Sequence, residues 1–357
     1  MQTTRSSKKR AAKPRFLRTA VCDILLTGLI LVVYALFQHV IPIHRAQQEI
    51  ERQREAAAAA TPVPVQTAAP SPAPTPTPEP DLRTEWQKRF EERFTEDIVL
   101  TENSYSSPNV SITLTTYEEP IDNRQVRWHV ADIYIASMDN IATALANDAY
   151  VYYAEQDILD MMAPKNAILA MGGDSCLRQA HCFAVKNSEV YDNRPTASEV
   201  CVLYADGRME ILKKDDMDVD ALLAQDGGNA LCQSWHFGPG LLNADGSART
   251  DFGGVFDQYI FMGTRQPRAG VGYYEPGHYC MIVAEGRLAH SEGVTMEQFS
   301  RLFEREGCAL AYNLDGGRTA QIAFDGRKYS EQSNGNRNPQ NDILYIVDAT
   351  PKGGDGE

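Results

Sequence analysis

The 357-residue chain lacks the compact motifs of the commoner hydrolases. It has no Gly-rich P-loop, no serine elbow and no HExxH helix, so nucleotide hydrolysis, esterase and zinc-protease chemistry are without support. No two cysteines stand at C-x2-C spacing, which argues against a structural zinc site. No internal repeat marks a solenoid. Positive charge is scarce in the body of the chain. The first 45 residues hold eight of the 34 Lys and Arg and one of the 48 Asp and Glu, a balance of +7; the remaining 312 carry 26 basic and 47 acidic residues, a balance of −21. An acidic body argues against nucleic acid as partner, because phosphate backbones demand a basic surface. An anionic substrate is still permitted, since a few local arginines can dominate one pocket.

What is present begins with an apolar run, residues 16–43, centred on Leu25-Leu26 and Leu29 to Phe37. Its length suits a bilayer-crossing helix. Arg5, Lys8, Lys9, Arg10, Lys13, Arg15 and Arg18 lie at its N-terminal side. The positive-inside rule then expects a single-pass cell-membrane protein with a cytoplasmic basic tail (1–15) and an extracellular C-terminal part. The alternative is a cleaved signal peptide, for which the run is long and lacks a clear small-x-small site. Residues 44–80 form an Ala/Pro/Thr-rich linker that includes Pro70, Pro72, Pro74, Pro76, Pro78 and Pro80. Such a stretch cannot pack a core and acts as a semi-rigid spacer. Cys176, Cys182, Cys201, Cys232, Cys280 and Cys308 follow it. In an oxidising compartment they offer up to three bridges, and the sequence does not choose a pairing; buried free thiols are the alternative.

The globular part is expected from Asp81. Residues 81–149 carry a short amphipathic helix (Leu82, Trp86, Phe90, Phe94) and alternating strands over Val110–Leu114 and Val126–Ile135. Residues 150–348 form the main domain, with a flexible tail at 349–357. Two hairpins are expected, 200–212 broken at Ala205-Asp206-Gly207, and 279–289 broken at Ala284-Glu285-Gly286. Thr295 to Gln298 reads as a capping box opening a helix that buries Phe299, Leu302 and Phe303 and stops at Gly307. A strand to Leu314 and a last strand over Ile343–Val347 follow. The class is α+β: one large mixed or antiparallel sheet domain with packed helices, behind one transmembrane helix and a Pro-rich linker.

Four polar, Gly-rich clusters end apolar runs: Met171-Gly172-Gly173-Asp174, His236 to Gly240, Pro267 to Gly272, and Asn313-Leu314-Asp315-Gly316-Gly317-Arg318. Each alone reads as a turn. In this order, with Gly286-Arg287, Gly293-Val294-Thr295 and Gly307-Cys308 between them, they resemble the phosphodiester glycosidase family. That family takes in the uncovering enzyme of the lysosomal pathway and bacterial exopolysaccharide-associated relatives. The resemblance covers roughly 150–348. It departs at Gly172, where the family usually has Asn, at Ser175-Cys176, where aromatics are usual, and at Arg318-Thr319-Ala320, which replace part of a Gly-Ser-Ser continuation.

The resemblance implies a hydrolase of glycosyl-phosphate bonds acting on cell-surface or exopolysaccharide glycans. A sugar C1 phosphodiester already has a good leaving group, because a phosphomonoester has a second pKa of about 6. The site therefore needs a carboxylate for the oxocarbenium-like centre or the attacking water, and cations for the charge growing on phosphate. Asp315 is the expected nucleophile or base, Asp174 the second carboxylate, and His236 a candidate proton donor. Arg268, Arg318 and Arg337 are candidate phosphate clamps, Arg318 doubling as a candidate plug, while Asn313, Gly316, Gly317 and Gly173 shape the substrate pocket. No metal ligand set and no cofactor are required, although Asp174 and Asp315 together are able to hold a divalent cation. The rival reading is a non-catalytic envelope protein that keeps the fold to bind such glycans.

Overall fold

The structure, a computed structural model, describes residues 81, 83–178, 182–194, 199–252, 262–333 and 338–350. The expected span 16–43, the linker 44–80 and Arg337 lie outside the described residues. Among those described, no helix is long and apolar enough to cross a membrane.

Three sheets build the domain. The first has seven strands in the order β1 (Val99–Leu100), β2 (Ser104–Ser106), β3 (Val110–Ile121), β4 (Arg124–Ile135), β13 (His278–Ala284), β12 (Arg268–Glu275) and β14 (Leu310–Asn313). The second runs β10 (Met209–Leu212), β9 (Val200–Tyr204), β11 (Leu231–Trp235), β7 (Phe183–Lys186) and β8 (Glu189–Asn193). The third runs β16 (Arg327–Lys328), β15 (Ile322–Phe324), β6 (Ala167–Gly172), β17 (Asp342–Val347) and β5 (Ile141–Leu145). Every strand pairing among the described residues is antiparallel.

Strand alternation sets the layers, because successive side chains point to opposite faces. On β4, Ala131, Ile133 and Ile135 join one core with Leu169 and Met171 of β6, Leu203 of β9, Trp235 of β11 and Leu344 of β17. Val126, Trp128 and Val130, earlier on the same strand and of opposite parity, join a second core on the opposite face, against Phe299, Leu302 and Phe303. The large sheet thus lies between the other two sheets and one helix, Met296–Glu306.

The helices are fewer and shorter than an α+β domain with packed helices requires. α1 (Glu85–Arg89), α2 (Ile158–Met162) and α3 (Val219–Leu223) have five residues each, and α4 (Met296–Glu306) has eleven. Among the described residues the domain is mostly antiparallel sheet, because period-two patterns dominate them and only the segment after Thr295 sustains a long helical one. α4 has the expected capping box from Thr295 and Gln298 and ends at left-handed Gly307. α1 is likewise capped by Thr84, and Trp86 packs on the first core. The 200–212 hairpin forms, with Met209 opposite Leu203. The 279–289 hairpin does not. β13 instead pairs with β12 and β4, and the segment after Ala284 turns away because Glu285 is drawn into a buried bond with His129 Nε2 (2.8 Å).

Glycine lets α4 settle on the sheet. A Cβ at Gly270 would stand 3.0 Å from both the Phe299 and Phe303 rings, and one at Gly272 would stand 2.6 Å from Cys280 Sγ. Truncation to Phe303→Ala should therefore cost about 3–5 kcal/mol of unfolding free energy in urea. A loss under about 1 kcal/mol would mean that α4 is not a fixed layer of the core.

Candidate active site

The site forms where strand ends from all three sheets meet. β6 ends at Gly172, β11 at Trp235 and β14 at Asn313, while β12 starts at Arg268 and β17 at Asp342. Backbone bonds knit these ends: Gly173 N to Asp342 O (3.0 Å), Asp315 N to Gly173 O (3.0 Å), Asn313 N to Pro239 O (3.0 Å) and Gly317 N to Pro267 O (2.8 Å). All four Gly-rich clusters therefore come together. Gly173 is obligatory in this arrangement, since a Cβ there would lie 2.4 Å from the Asp342 carboxylate. Gly317 adopts φ +66, a conformation that favours glycine. At Gly172 a Cβ would meet Thr319 O at 2.4 Å and Gln340 Oε1 at 2.7 Å. No side chain fits there without a shift, and the buried amide of Gln340 borders that space.

Behind these turns sits a wholly buried charge cluster. Asp174 Oδ2 accepts from Lys186 Nζ (3.3 Å) and His236 N (3.1 Å), and lies 3.2 Å from His236 Nδ1. Burial opposes the charge of Asp174, but Lys186 and His236 outweigh it and hold the carboxyl well below the usual range. Burial also opposes the charge of Lys186, which Asp174 holds in place. Asp342 accepts from Asp174 N (3.2 Å) and Ser175 N (3.0 Å). Burial, and then the negative charge of Asp174, push its carboxyl up to about 8. Asp174, Cys176 and Asp342 bring ligand atoms within 4.8 Å of one another, and Lys186 supplies positive charge beside them.

In front of the turns opens a cavity of about 380 Å³. Asn313, Asp315, Gly316, Gly317, Arg268 and Arg318 line it, together with Arg178, Arg287, Phe237, Met262 and Met296. Asp315 is half-buried at its floor. Burial raises its carboxyl above the ordinary value, and Thr319 and Arg178 pull it part of the way back. Arg268 is buried, with Nε on Val294 O (2.9 Å) and Nη2 on Thr264 O (3.3 Å). Burial lowers its pKa to about 10, so it remains a cation at neutral pH. Arg287 bonds Gln266 Oε1 from Nε (2.9 Å). Arg318 Nη2 bonds Glu155 Oε1 (2.8 Å), and Arg178 pairs with the same carboxylate. Asn313 donates Nδ2 to Gly238 O (2.7 Å), while its buried Oδ1 has no partner among the described residues.

The expected residues thus divide. Asp315, Asn313, Gly316, Gly317, Arg268 and Arg318 share the cavity. Asp174 and His236 sit in the buried cluster behind it, at 0% and 1% exposure, and Gly173 links the two regions. Arg337 lies outside the described residues. Sequence reasoning missed Arg178, Arg287, Glu155, Lys186 and Asp342. Only Arg287 had a signal, the Gly-Arg pair after a strand. Lys186 ends an apolar strand with no local mark of its burial.

Residues 166–347, half of the chain, match the phosphodiester glycosidase family, and the chain belongs to it. Among solved structures it is similar to the catalytic domain of zebrafish N-acetylglucosamine-1-phosphodiester alpha-N-acetylglucosaminidase, determined in a form auto-inhibited by its pro-peptide. That likeness has a TM-score of 0.56 at 16% identity, over 71% of this chain and 88% of that one; it is a likeness of fold. A curated relative is an uncharacterized SPbeta prophage-derived protein, YomE, of Bacillus subtilis, 26% identical over 197 residues. The match takes in 54% of this chain and 29% of the length of that relative.

The buried cluster generates a pH test. Asp342 binds its proton more tightly in the folded state than in the unfolded chain, where a carboxyl titrates near about 3.9. The stability it contributes is present below that value and lost as pH climbs towards about 8. Asparagine keeps a donor towards Asp174 and cannot ionise. Asp342→Asn should therefore gain stability relative to the parent as pH rises from about 4 to about 8, read by urea unfolding at each pH. A difference that stays flat over that interval would place the proton elsewhere.

Proposed function

We propose that this protein is a membrane-anchored extracellular glycosidase that hydrolyses sugar-1-phosphodiester links in cell-surface or secreted polysaccharide. One observation carries the reading: a half-buried carboxylate, Asp315, stands in a cavity lined by Arg178, Arg268, Arg287 and Arg318. A ring of guanidinium groups suits a phosphate, whose oxygens pair with the planar fork. Asp315, the one carboxylate lining the cavity among the described residues, suits the electron-poor C1 of the sugar.

Asp315 acts as nucleophile or as general base towards water, and its raised pKa makes it the stronger base. Arg268 and Arg287 take the phosphate and stabilise the charge that grows as the C1–O bond breaks. The unpartnered Oδ1 of Asn313 accepts from a sugar hydroxyl. Asp174, His236 and Lys186 act one layer back, holding the Gly173 carbonyl that fixes the Asp315 backbone. The scheme requires no metal. The basic residues before the apolar run 16–43 support the anchored, outward-facing placement.

The test is hydrolysis of a panel of sugar-1-phosphodiesters by the purified protein. Asp315→Asn should lower kcat by several powers of ten with an unchanged melting curve, and the acidic limb of the pH–rate profile should lie above the ordinary carboxylate range. Near-parental turnover would remove Asp315 from the mechanism. Retained glycan binding without turnover in the parent would favour the non-catalytic reading. Arg268→Ala should depress kcat/KM more for phosphodiester substrates than for aryl glycosides of the same sugar; equal losses would show that it does not clamp phosphate.

A further inference from the structure

Arg318 and Arg178 share one carboxylate of this chain, Glu155. We infer that Arg178 and Arg318 form a second anion site at the cavity rim, capped at rest by Glu155, which takes a second phosphate carried by the aglycone. The inference rests on the proposed reaction for the word aglycone; the anion site itself stands on geometry.

One carboxylate oxygen, Glu155 Oε1, is shared by Arg318 Nη2 at 2.8 Å and by Arg178 Nη2. Both guanidinium groups line the cavity. The carboxylate occupies the place a phosphate oxygen would take. A phosphate has three oxygens and more charge, so it serves two planar forks better than a single carboxylate oxygen does.

The arrangement is built rather than accidental. Gln156 and Gln340 exchange both backbone bonds, at 2.9 and 2.7 Å, which fixes the segment carrying Glu155. Asn341, next to Gln340, accepts from Arg178 Nε at 2.8 Å and donates to Ala154 O at 2.5 Å. One strand approach thus positions both the cap and one of the cations. The three side chains are 29%, 36% and 45% exposed for Glu155, Arg178 and Arg318, so the cap can swing into solvent when an anion arrives. The site is also separate from Arg268. That cation is buried at the start of β12, whereas Arg178 and Arg318 end or occupy the short turns Cys176–Arg178 and Gly317–Thr319. Two cation centres on different elements suit a substrate with two phosphates.

The experiment has two arms. In the first, calorimetry measures inorganic phosphate binding to the full chain. Glu155→Gln should tighten binding about fivefold, the scale of a partly exposed charge pair, and adding Arg318→Gln should cancel the gain. Unchanged affinity in Glu155→Gln overturns the site. In the second arm, sugar-1-phosphodiesters carry an alkyl aglycone ending in a hydroxyl, a phosphomonoester or a methyl phosphodiester. An anionic end should lower KM about fivefold with kcat little changed, and Arg318→Gln should abolish that preference. Arg318 is half-exposed, so this variant is expected to fold. Preference for the monoester assigns the site to a terminal phosphate, and preference for the diester assigns it to the next link of a polymer. No preference, or one that survives Arg318→Gln, contradicts the inference. Absence of all turnover would sink the proposed reaction, while the phosphate arm would still decide the anion site.

Discussion

A fully buried ionised carboxylate costs several kcal/mol unless a cation and hydrogen bonds compensate it, and Asp174 is such a group. Its partners come from separate elements: Lys186 from the end of β7, His236 from just beyond β11, and the neighbouring Asp342 from the start of β17. The compensation is available only when the second and third sheets present those strand ends together. Lys186 has the reciprocal need, since burial alone would strip its charge. The two charges therefore make the meeting of sheets a condition of stability. Asp342 binds its proton more tightly beside them, because burial and the negative charge of Asp174 oppose a second buried charge more than Lys186, 4.0 Å away, favours it.

The site inherits its geometry from this cluster. Asp342 receives the backbone N–H groups of Asp174 and Ser175, and its own carbonyl receives that of Gly173. The Gly173 carbonyl then accepts from Asp315 N, which sets the floor of the cavity. Only glycine permits that contact, because the Asp342 carboxylate occupies the space of a Cβ. In front of this frame the chemistry is one of opposed charges in restricted solvent. Burial raises the carboxyl of Asp315 and lowers the pKa of Arg268. Both shifts describe buried charges that gain from an incoming ligand of opposite charge; in the proposed reaction these are an electron-poor carbon for the first and a phosphate for the second.

Local signals reached far along this chain. The alternation over Val110–Leu114 and Val126–Ile135 predicts half-buried strands; both strands form, but the second is buried on both faces because it lies between two cores. The capping box at Thr295 and the stop at Gly307 bound a helix that forms where expected. The Gly-rich clusters were legible as turns, and their convergence rested on the family resemblance. What stayed hidden depends on contacts distant in sequence. Glu285 looked like a hairpin turn, yet it is a buried acceptor for His129, 156 residues away. Asp174 looked like a pocket carboxylate because its turn is at the site, whereas its side chain points back to Lys186. Glu155 lies in no motif, and its place beside Arg178 and Arg318 follows from pairing between Gln156 and Gln340. The excess of expected helix came from reading an α+β class from local patterns that only one long segment sustains.

The central claim is that the cavity cleaves the bond between the sugar C1 and oxygen rather than the bond between oxygen and phosphorus. Hydrolysis of a sugar-1-phosphodiester in ¹⁸O-water, with both products analysed by mass spectrometry, separates these directly. Cleavage at C1 predicts the label in the C1 hydroxyl of the released sugar and none in the phosphomonoester. Label in the phosphate would show attack at phosphorus, and would contradict the roles of Asp315 as nucleophile or base at C1 and of Arg268 and Arg287 as clamps on a departing phosphate.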